Sequence, residues 1–532
     1  MKSIRLSDLP FRHHLLLAVM VLFISCSTDN PDGIIIINDS VLSFILEDEV
    51  QPNPSGYAPL SAKILVETSE NTRVTMRVLG KNGAKSDVVK AFDALAQNHE
   101  IAVHGLYANT NNLVELTFYN ASNTLMGTQQ YQIQTAELIT DMPLINIEQA
   151  KQDIMAPGMT LVSYFGHAGN ALPQRPFIFD SYGDIRWYLD FSASPTFGQL
   201  FYDDGMERLA NGNFYFGFGN FLGGDSPNAN IIYEIDMFGT ILNSWDMPGY
   251  GFHHEVHEKP NGNFLISVNK LGAATIEDYI IEIDRTTGEI INEWNLNESL
   301  DNTRKTLTNN IVDWIHVNAV TYDPLDNSII VSGRTQGVIK LSNNNEVIWI
   351  MSAHKDWGTS GKGIDLNQFL LQPLDDMGNP INDSNVLNGD VNHPDFEWNW
   401  YQHAPQIKAD GNIFIFDNGD NRNFVGNNYS RAVEYKIDEV NRTIQQTWQY
   451  GKEREGETYS RIVSDVDFLE ANNNVLFSAG AVVFNGAEYG KAIEVDHTTK
   501  EVLFEATIVP PIAIFAITFH RTERLPLYPE SQ

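Results

Sequence analysis

Four short motifs between residues 252 and 404 set histidine, arginine and asparagine beside turn signals. They are Phe252-His-His254-Glu255 ahead of Asn261-Gly-Asn263, Trp314-Ile-His316-Val-Asn318 ahead of Asp326-Asn327, Ser332-Gly-Arg334, and Gln402-His403 ahead of Asp410-Gly-Asn412. Imidazole is a nucleophile and proton carrier near neutral pH, and guanidinium is a fixed donor to anionic oxygens. Residues two apart in a strand share a face, so His316 and Asn318 point the same way. Several histidines with one arginine and one asparagine converging on a point would bind an anion with a nucleophile inside the site. That set suits sulfuryl or phosphoryl transfer. Each histidine alone reads as a hydrogen-bonded structural group; their matching positions give the set its meaning. The residues leave open whether His253 or His254 faces the centre.

Other candidate chemistries fail on spacing. Gly80-Lys-Asn-Gly83-Ala-Lys85-Ser86 lacks the P-loop interval, and Gly217-Phe-Gly219-Asn-Phe-Leu222 has Leu where a dinucleotide fingerprint needs a small residue. His254-Glu255-Val-His257 is one residue short of the zincin pattern. Cys26 is the only cysteine, so an intrachain disulfide and a multi-cysteine metal site are excluded. No cofactor is expected. With 34 Lys and Arg against 68 Asp and Glu, a nucleic-acid backbone would be repelled.

The elements that must position these residues are strands. The chain has 532 residues, 38 Gly and 22 Pro, with 42% apolar residues, which is enough for several packed cores joined by many turns. Residues 34–140 hold alternating runs, Ala62 to Thr68, Arg73 to Leu79 and Leu113 to Tyr119, that predict a small β-sandwich. From 150 to 527 a longer period takes over. An apolar strand ending near Asp, then a turn, then a strand with a bulky aromatic residue recurs six times, at Trp187, Trp245, Trp294, Trp349, Trp448 and Phe504. Interleaved turns at 211–213, 261–263, 326–327, 410–412 and 472–473 make two hairpins per repeat. The fold expected is all-β, a six-bladed β-propeller behind the amino-terminal sandwich, closed by the carboxy-terminal run Ile514 to Phe519. An insertion at 355–400 is expected near the channel mouth, and Trp398, Trp400 and Tyr401 at its end are candidates to stack on an aryl ring or to plug the insertion.

Residues 1–25 read as a signal peptide, with Lys2, Arg5 and Arg12 ahead of the apolar run Leu15 to Ile24. Leu22-Phe-Ile-Ser-Cys26 resembles the lipobox of bacterial lipoproteins, which implies cleavage before Cys26, lipidation of its sulfur and a tether over 26–33. The protein is then expected at the membrane through its lipid, on the periplasmic or surface face of the outer membrane.

The ordered set of motifs resembles the bacterial arylsulfotransferases that use no nucleotide donor. The matching elements are Phe252 to Glu255 before Pro260-Asn-Gly-Asn263, Asp313-Trp-Ile-His316-Val-Asn318, Ser332-Gly-Arg334 and Tyr401-Gln-His403-Ala404, with the amino-terminal sandwich and His354-Lys-Asp-Trp357 in addition. The resemblance implies a ping-pong reaction from an aryl sulfate donor to a phenolic acceptor through a sulfohistidine at His403. His254, His316, Asn318 and Arg334 would bind the sulfuryl oxygens, with His253 beside them. Two other readings stand next to it: a non-catalytic propeller lipoprotein that binds a partner or glycan, and a metal-dependent hydrolase or lactonase using Asp417 or Asp420. The oligomeric state, a homodimer included, is open.

Overall fold

The computed structural model describes residues 42–166, 175–195, 197, 206–218, 229–426, 428–511 and 517–529. The leader, Cys26 and the tether lie outside these residues, as do residues 219 to 222 of the dinucleotide look-alike.

The described chain is all-β. The amino-terminal part is one hydrogen-bonded array of β1 (Ile45–Pro52), β2 (Ser61–Val78), β3 (Val88–His104), β4 (Asn111–Tyr119) and β5 (Leu125–Gln134). The runs expected as two strands, Ala62 to Thr68 and Arg73 to Leu79, are continuous in β2, whose register shifts between Glu67 and Thr72. Its first half pairs with β1 and its second with β4, so one strand does the work of two. Burial alternates along it, as the pattern of apolar residues requires.

The rest forms six sheets. Strand β6 (Leu144–Ala150) precedes β7 (Met159–Gly166), β8 (Phe177–Phe179) and β9 (Ile185–Tyr188), and then come β10 (Phe214–Phe218), β11 (Ile231–Ile235) and β12 (Ile241–Asp246). Two regular four-stranded meanders follow. One is β13 (Tyr250–Glu258), β14 (Phe264–Lys270), β15 (Tyr279–Ile283) and β16 (Ile290–Asn295); the other is β17 (Val317–Asp323), β18 (Ser328–Gly333), β19 (Gly337–Leu341) and β20 (Val347–Met351). The next sheet holds β21 (Gln372–Leu374), β22 (His403–Ile407), β23 (Ile413–Asp417), β24 (Arg431–Asp438) and β25 (Thr443–Tyr450). The last holds β26 (Asp465–Leu469), β27 (Asn474–Phe484), β28 (Ala487–Asp496) and β29 (Val502–Val509), with β6 on its outer edge. Strand β30 (Ile517–Leu525) pairs with β7, so the carboxy-terminal run completes the sheet that the chain opened.

The six aromatic repeats fall on final strands, five of them on that of a four-strand unit and Trp245 on that of the β10–β12 sheet, which has three strands among the described residues. Five of them are Trp, and each indole N–H reaches the turn of the following sheet: Trp187 to Met237, Trp245 to Arg285, Trp294 to Ser342, Trp349 to Glu439 and Trp448 to His497, over 2.7–2.9 Å. A large ring is thereby buried without orphaning its one polar atom. The opening strands of neighbouring sheets also pack together, β13 on β17, β17 on β22, β22 on β26 and β26 on β30.

The middle of the segment 355–400 runs out to a sheet edge, where β21 pairs in parallel with β25, before the chain returns to His403. Strand β6 likewise joins the sixth sheet ahead of the expected start at 150.

Candidate active site

The functional side chains come from opening strands at points where their ladders break. Register shifts fall between Phe252 and Val256 in β13, Val317 and Ala319 in β17, His403 and Gln406 in β22, and Phe519 and Thr522 in β30. His254 and Ala404, inside two of these breaks, and His316, just ahead of a third, take the left-handed conformation, with φ of 62°, 50° and 53°. Such backbone costs about 1–3 kcal/mol per residue and persists only where the surroundings enforce it. Bulges of this kind turn a side chain out of the regular face alternation.

The breaks bring four imidazoles together. The ring of His254 lies 5.1 Å from that of His316 and 5.4 Å from that of His520, centroid to centroid. His254 is thus the member of its pair that meets the other rings; His253 touches it through Nδ1 atoms 3.1 Å apart and is 1% exposed. The field at His403 comes from Arg334, His254 and His520. Burial first, then the Arg334 charge, holds the His403 imidazole well below its ordinary pKa, so it is neutral at pH 7.

The tautomer of His403 is fixed by its neighbour. Its Nδ1 lies 2.7 Å from Asn418 Oδ1, while the Asn418 amide donates to the carbonyls of Ser460 and Val463, both at 2.9 Å. With its N–H groups spent on carbonyls, Asn418 presents oxygen to His403 and accepts from Nδ1–H. The lone pair of His403 is therefore on Nε2. Arg334 follows β18, and its backbone N–H donates to the His316 carbonyl at 3.0 Å. Its guanidinium lies over the Tyr401 ring at 5.1 Å, forms no ion pair among the described residues, and has a buried Nε without a hydrogen-bond partner. A buried cation in that state is prepared for an anion. Asn318 donates to the Gln402 carbonyl at 2.8 Å, tying β17 to the residue before His403.

His316 stands against two carboxylates. Its Nδ1 is 2.6 Å from Glu277 and 3.0 Å from Asp313. Burial opposes its charge, but the two carboxylates outweigh burial and raise its pKa to about 10. His253, His254 and Glu277, and also Glu277, Asp313 and His316, bring donor atoms close enough together to hold a metal ion. Two further groupings, Asp323 with Asp326 and Glu439, and Glu148 with Glu457 and Glu505, already enclose Lys340 and Lys491.

Two expectations are corrected. Trp398 and Trp400 are 2% and 1% exposed within a core that also takes Phe396 and Tyr435, so they plug the insertion rather than stack on a ligand. Of that cluster only Tyr401 stands beside the site, its hydroxyl donating to Leu307 O at 2.7 Å. Asp417 is committed to Arg422 and Arg431, and Asp420 accepts from Tyr459, so both aspartates named for the metal-hydrolase reading already have partners. Glu277, Asn418 and His520 were not singled out from sequence. His520 sits on an opening strand like the other three histidines, and that positional equivalence was the available signal.

Further along the same strands the polarity reverses. A cavity of about 310 Å³ is lined by Glu207, Glu255, Asp465, Asp467 and Glu523, with Arg521 bound to Glu207 and Glu255 at 3.0 and 3.1 Å. Burial raises Glu255 to about 7 and Glu523 to about 8.

The arylsulfotransferase family model matches residues 144–512, and the model of the arylsulfotransferase Ig-like domain matches residues 49–136. The chain is 29% identical to an arylsulfate sulfotransferase AssT of Escherichia coli O6:H1 and, at the same identity, to one of Lelliottia amnigena; each alignment covers 86% of this chain and 89% of the relative. Among solved structures, an auxiliary nutrient binding protein from Bacteroides ovatus aligns over 85% of this chain and 94% of its own at a TM-score of 0.30 and 8% identity. With both its amino-terminal and its larger part matched, the chain belongs to the arylsulfotransferase family.

Proposed function

We propose that the chain is an aryl-sulfate sulfotransferase that works by a ping-pong mechanism through a sulfohistidine at His403, in the channel of a six-bladed propeller. The propeller reading is supported by the six successive sheets, the Trp links from each to the next and the closure of the first by β30. The observation that carries the mechanism is the Asn418 hydrogen bond, which leaves the His403 Nε2 lone pair free in the field of an unpaired Arg334.

The donor step follows from these parts. Arg334, His254 and the second N–H of Asn318 hold the sulfuryl oxygens, and His403 Nε2 attacks sulfur as the S–O bond to the aryl group breaks. The electron pair leaves on the phenolate oxygen, which takes a proton from an imidazolium of the site. By analogy with phosphoryl transfer the transition state is loose, so alignment and oxygen stabilisation matter more than nucleophilic push. In the second half a phenol gives up its proton, its oxygen attacks sulfur, and the pair of the N–S bond returns to His403. The Arg334 guanidinium beside His403 forms no ion pair among the described residues, so the anionic end of the donor is drawn to the Arg334 side. We assign export and lipidation at Cys26 on the leader pattern, with the catalytic body at the periplasmic or surface face of the outer membrane.

The test is incubation with 4-nitrophenyl sulfate, with and without phenol, followed by mass analysis. Nitrophenol release accelerated by phenol, with an acid-labile sulfuryl mass on the His403 peptide, is expected. Release indifferent to phenol, with no adduct, would overturn the reading.

A further inference from the structure

Glu277 is held in place from both sides of its backbone. It lies in the left-handed region at φ 56°, its N–H donates to Asn269 Oδ1 at 2.5 Å, and its carbonyl accepts from Val317 N–H at 3.0 Å. This clamp sets its carboxylate against His316, the residue before Val317. The side chain is 9% exposed, and among the described residues His316 is its only ion-pair partner. A carboxylate buried that far needs a positive charge against it. Elsewhere in this chain clustered acids close around a lysine, Lys340 in one place and Lys491 in another. Here no lysine or arginine enters, and the nitrogen in the equivalent position is His316 Nδ1.

Glu277, from the turn ahead of β15, and Asp313, from its own loop, favour a charged ring and outweigh its burial. The ring of His254 on β13, 5.1 Å away, and the cation of Arg334, whose backbone N–H donates to the His316 carbonyl from the end of β18, are the groups that oppose it. Both carboxylates in contact are on Nδ1, which leaves Nε2 as the nitrogen turned away from them. We propose that Glu277, supported by Asp313, is a positioning residue that keeps His316 an imidazolium, and so makes His316 rather than His254 the acid for the departing phenolate and the base for the acceptor phenol. The proposal rests on sulfuryl transfer at His403. In the donor step the Nε2–H proton of His316 moves to the phenolate oxygen while the S–O bond breaks, leaving phenol and a neutral His316. In the acceptor step the phenol proton returns to Nε2. A phenol has a pKa of about 10, and His316 is raised to about 10, so the proton is shared between near equals.

Two donors separate this role from a structural one. Phenyl sulfate releases a basic phenolate that needs the proton, whereas 4-nitrophenyl sulfate releases one that does not. In the full chain, Glu277→Gln is expected to slow sulfuryl transfer from phenyl sulfate on the order of 10²-fold and transfer from 4-nitrophenyl sulfate less than about tenfold. The alkaline limb of the phenyl sulfate profile is expected to move to lower pH. Equal losses with both donors would overturn the proposal. Independently of any variant's folding, nitrogen NMR of histidine-labelled native protein at pH 8 should show His316, assigned with His316→Asn, as an imidazolium; a neutral ring would overturn it too. Failure of the underlying reading looks different, because native protein would then carry no sulfuryl group on His403 with either donor.

Discussion

As the proposed nucleophile, His403 needs three things at once: a neutral ring, a lone pair on the nitrogen that faces sulfur, and a cation close by. Burial and Arg334 supply the first and third, and Asn418 supplies the second. Asn418→Ala frees the tautomer and is expected to lower kcat for sulfuryl transfer by roughly 10- to 100-fold, the usual effect of losing a partner that orients an active group. Asn418→Asp keeps an acceptor on Nδ1, so the productive tautomer survives, but the added carboxylate favours the imidazolium. Its activity should recover toward alkaline pH and its acid limb should move to higher pH, which a rate profile with 4-nitrophenyl sulfate would read. An unchanged acid limb would show that Asn418 does not govern the proton on His403.

The strands that carry the site break their ladders near the candidate residues, and the breaks in β13 and β22 each put a residue into costly backbone. The ledge after β23 shows how tightly this is built. Gly419, next to Asn418, sits at φ 72°, donates its N–H to Trp400 O at 2.9 Å, and would place an added Cβ 1.9 Å from the Tyr429 carbonyl. Gly419→Ala is therefore expected to destabilise the protein by about 1–3 kcal/mol in denaturant unfolding and to lower activity in the fraction that remains folded. The repeat that organises these elements was legible in the sequence, because an apolar strand, a turn and an aromatic strand recur mostly at about 50 to 60 residues, with one longer gap; His254, His316 and His403 were legible because each stands ahead of a turn motif. Glu277, Asn418 and His520 were not. Their roles come from bulges and from contacts between sheets, and no local period records these. Trp398 and Trp400 misled for a related reason, since an aromatic cluster near a site reads the same whether its rings face a ligand or a core.

Across the molecule, charge is layered along the opening strands, imidazole and guanidinium first and buried carboxyl groups beyond. Glu255 and Glu523, raised by burial to about 7 and about 8, keep protons in the native state that the unfolded chain loses near pH 4.5. His316, raised to about 10, also keeps a proton that the unfolded chain loses near 6.5. In all three the native state binds more protons than the unfolded one above pH 6.5, so stability falls as pH rises through these values. The opposite pressure comes from His104 and His257, lowered by burial to about 3 and about 4, whose contribution is lost as pH falls below about 6.5. The thermal midpoint is expected to decline between pH 6.5 and 8.5, with a shallower decline in Glu523→Gln; a flat or rising midpoint over that interval would contradict this layering.

The pairing of β30 with β7 has a consequence for biosynthesis. The strand that brings His520 against His254 follows its partner β7 in the chain by about 350 residues. The sheet that carries β7 is therefore completed only after every sheet between them has been synthesised, and a nonsense mutation upstream of residue 517 removes its closing strand.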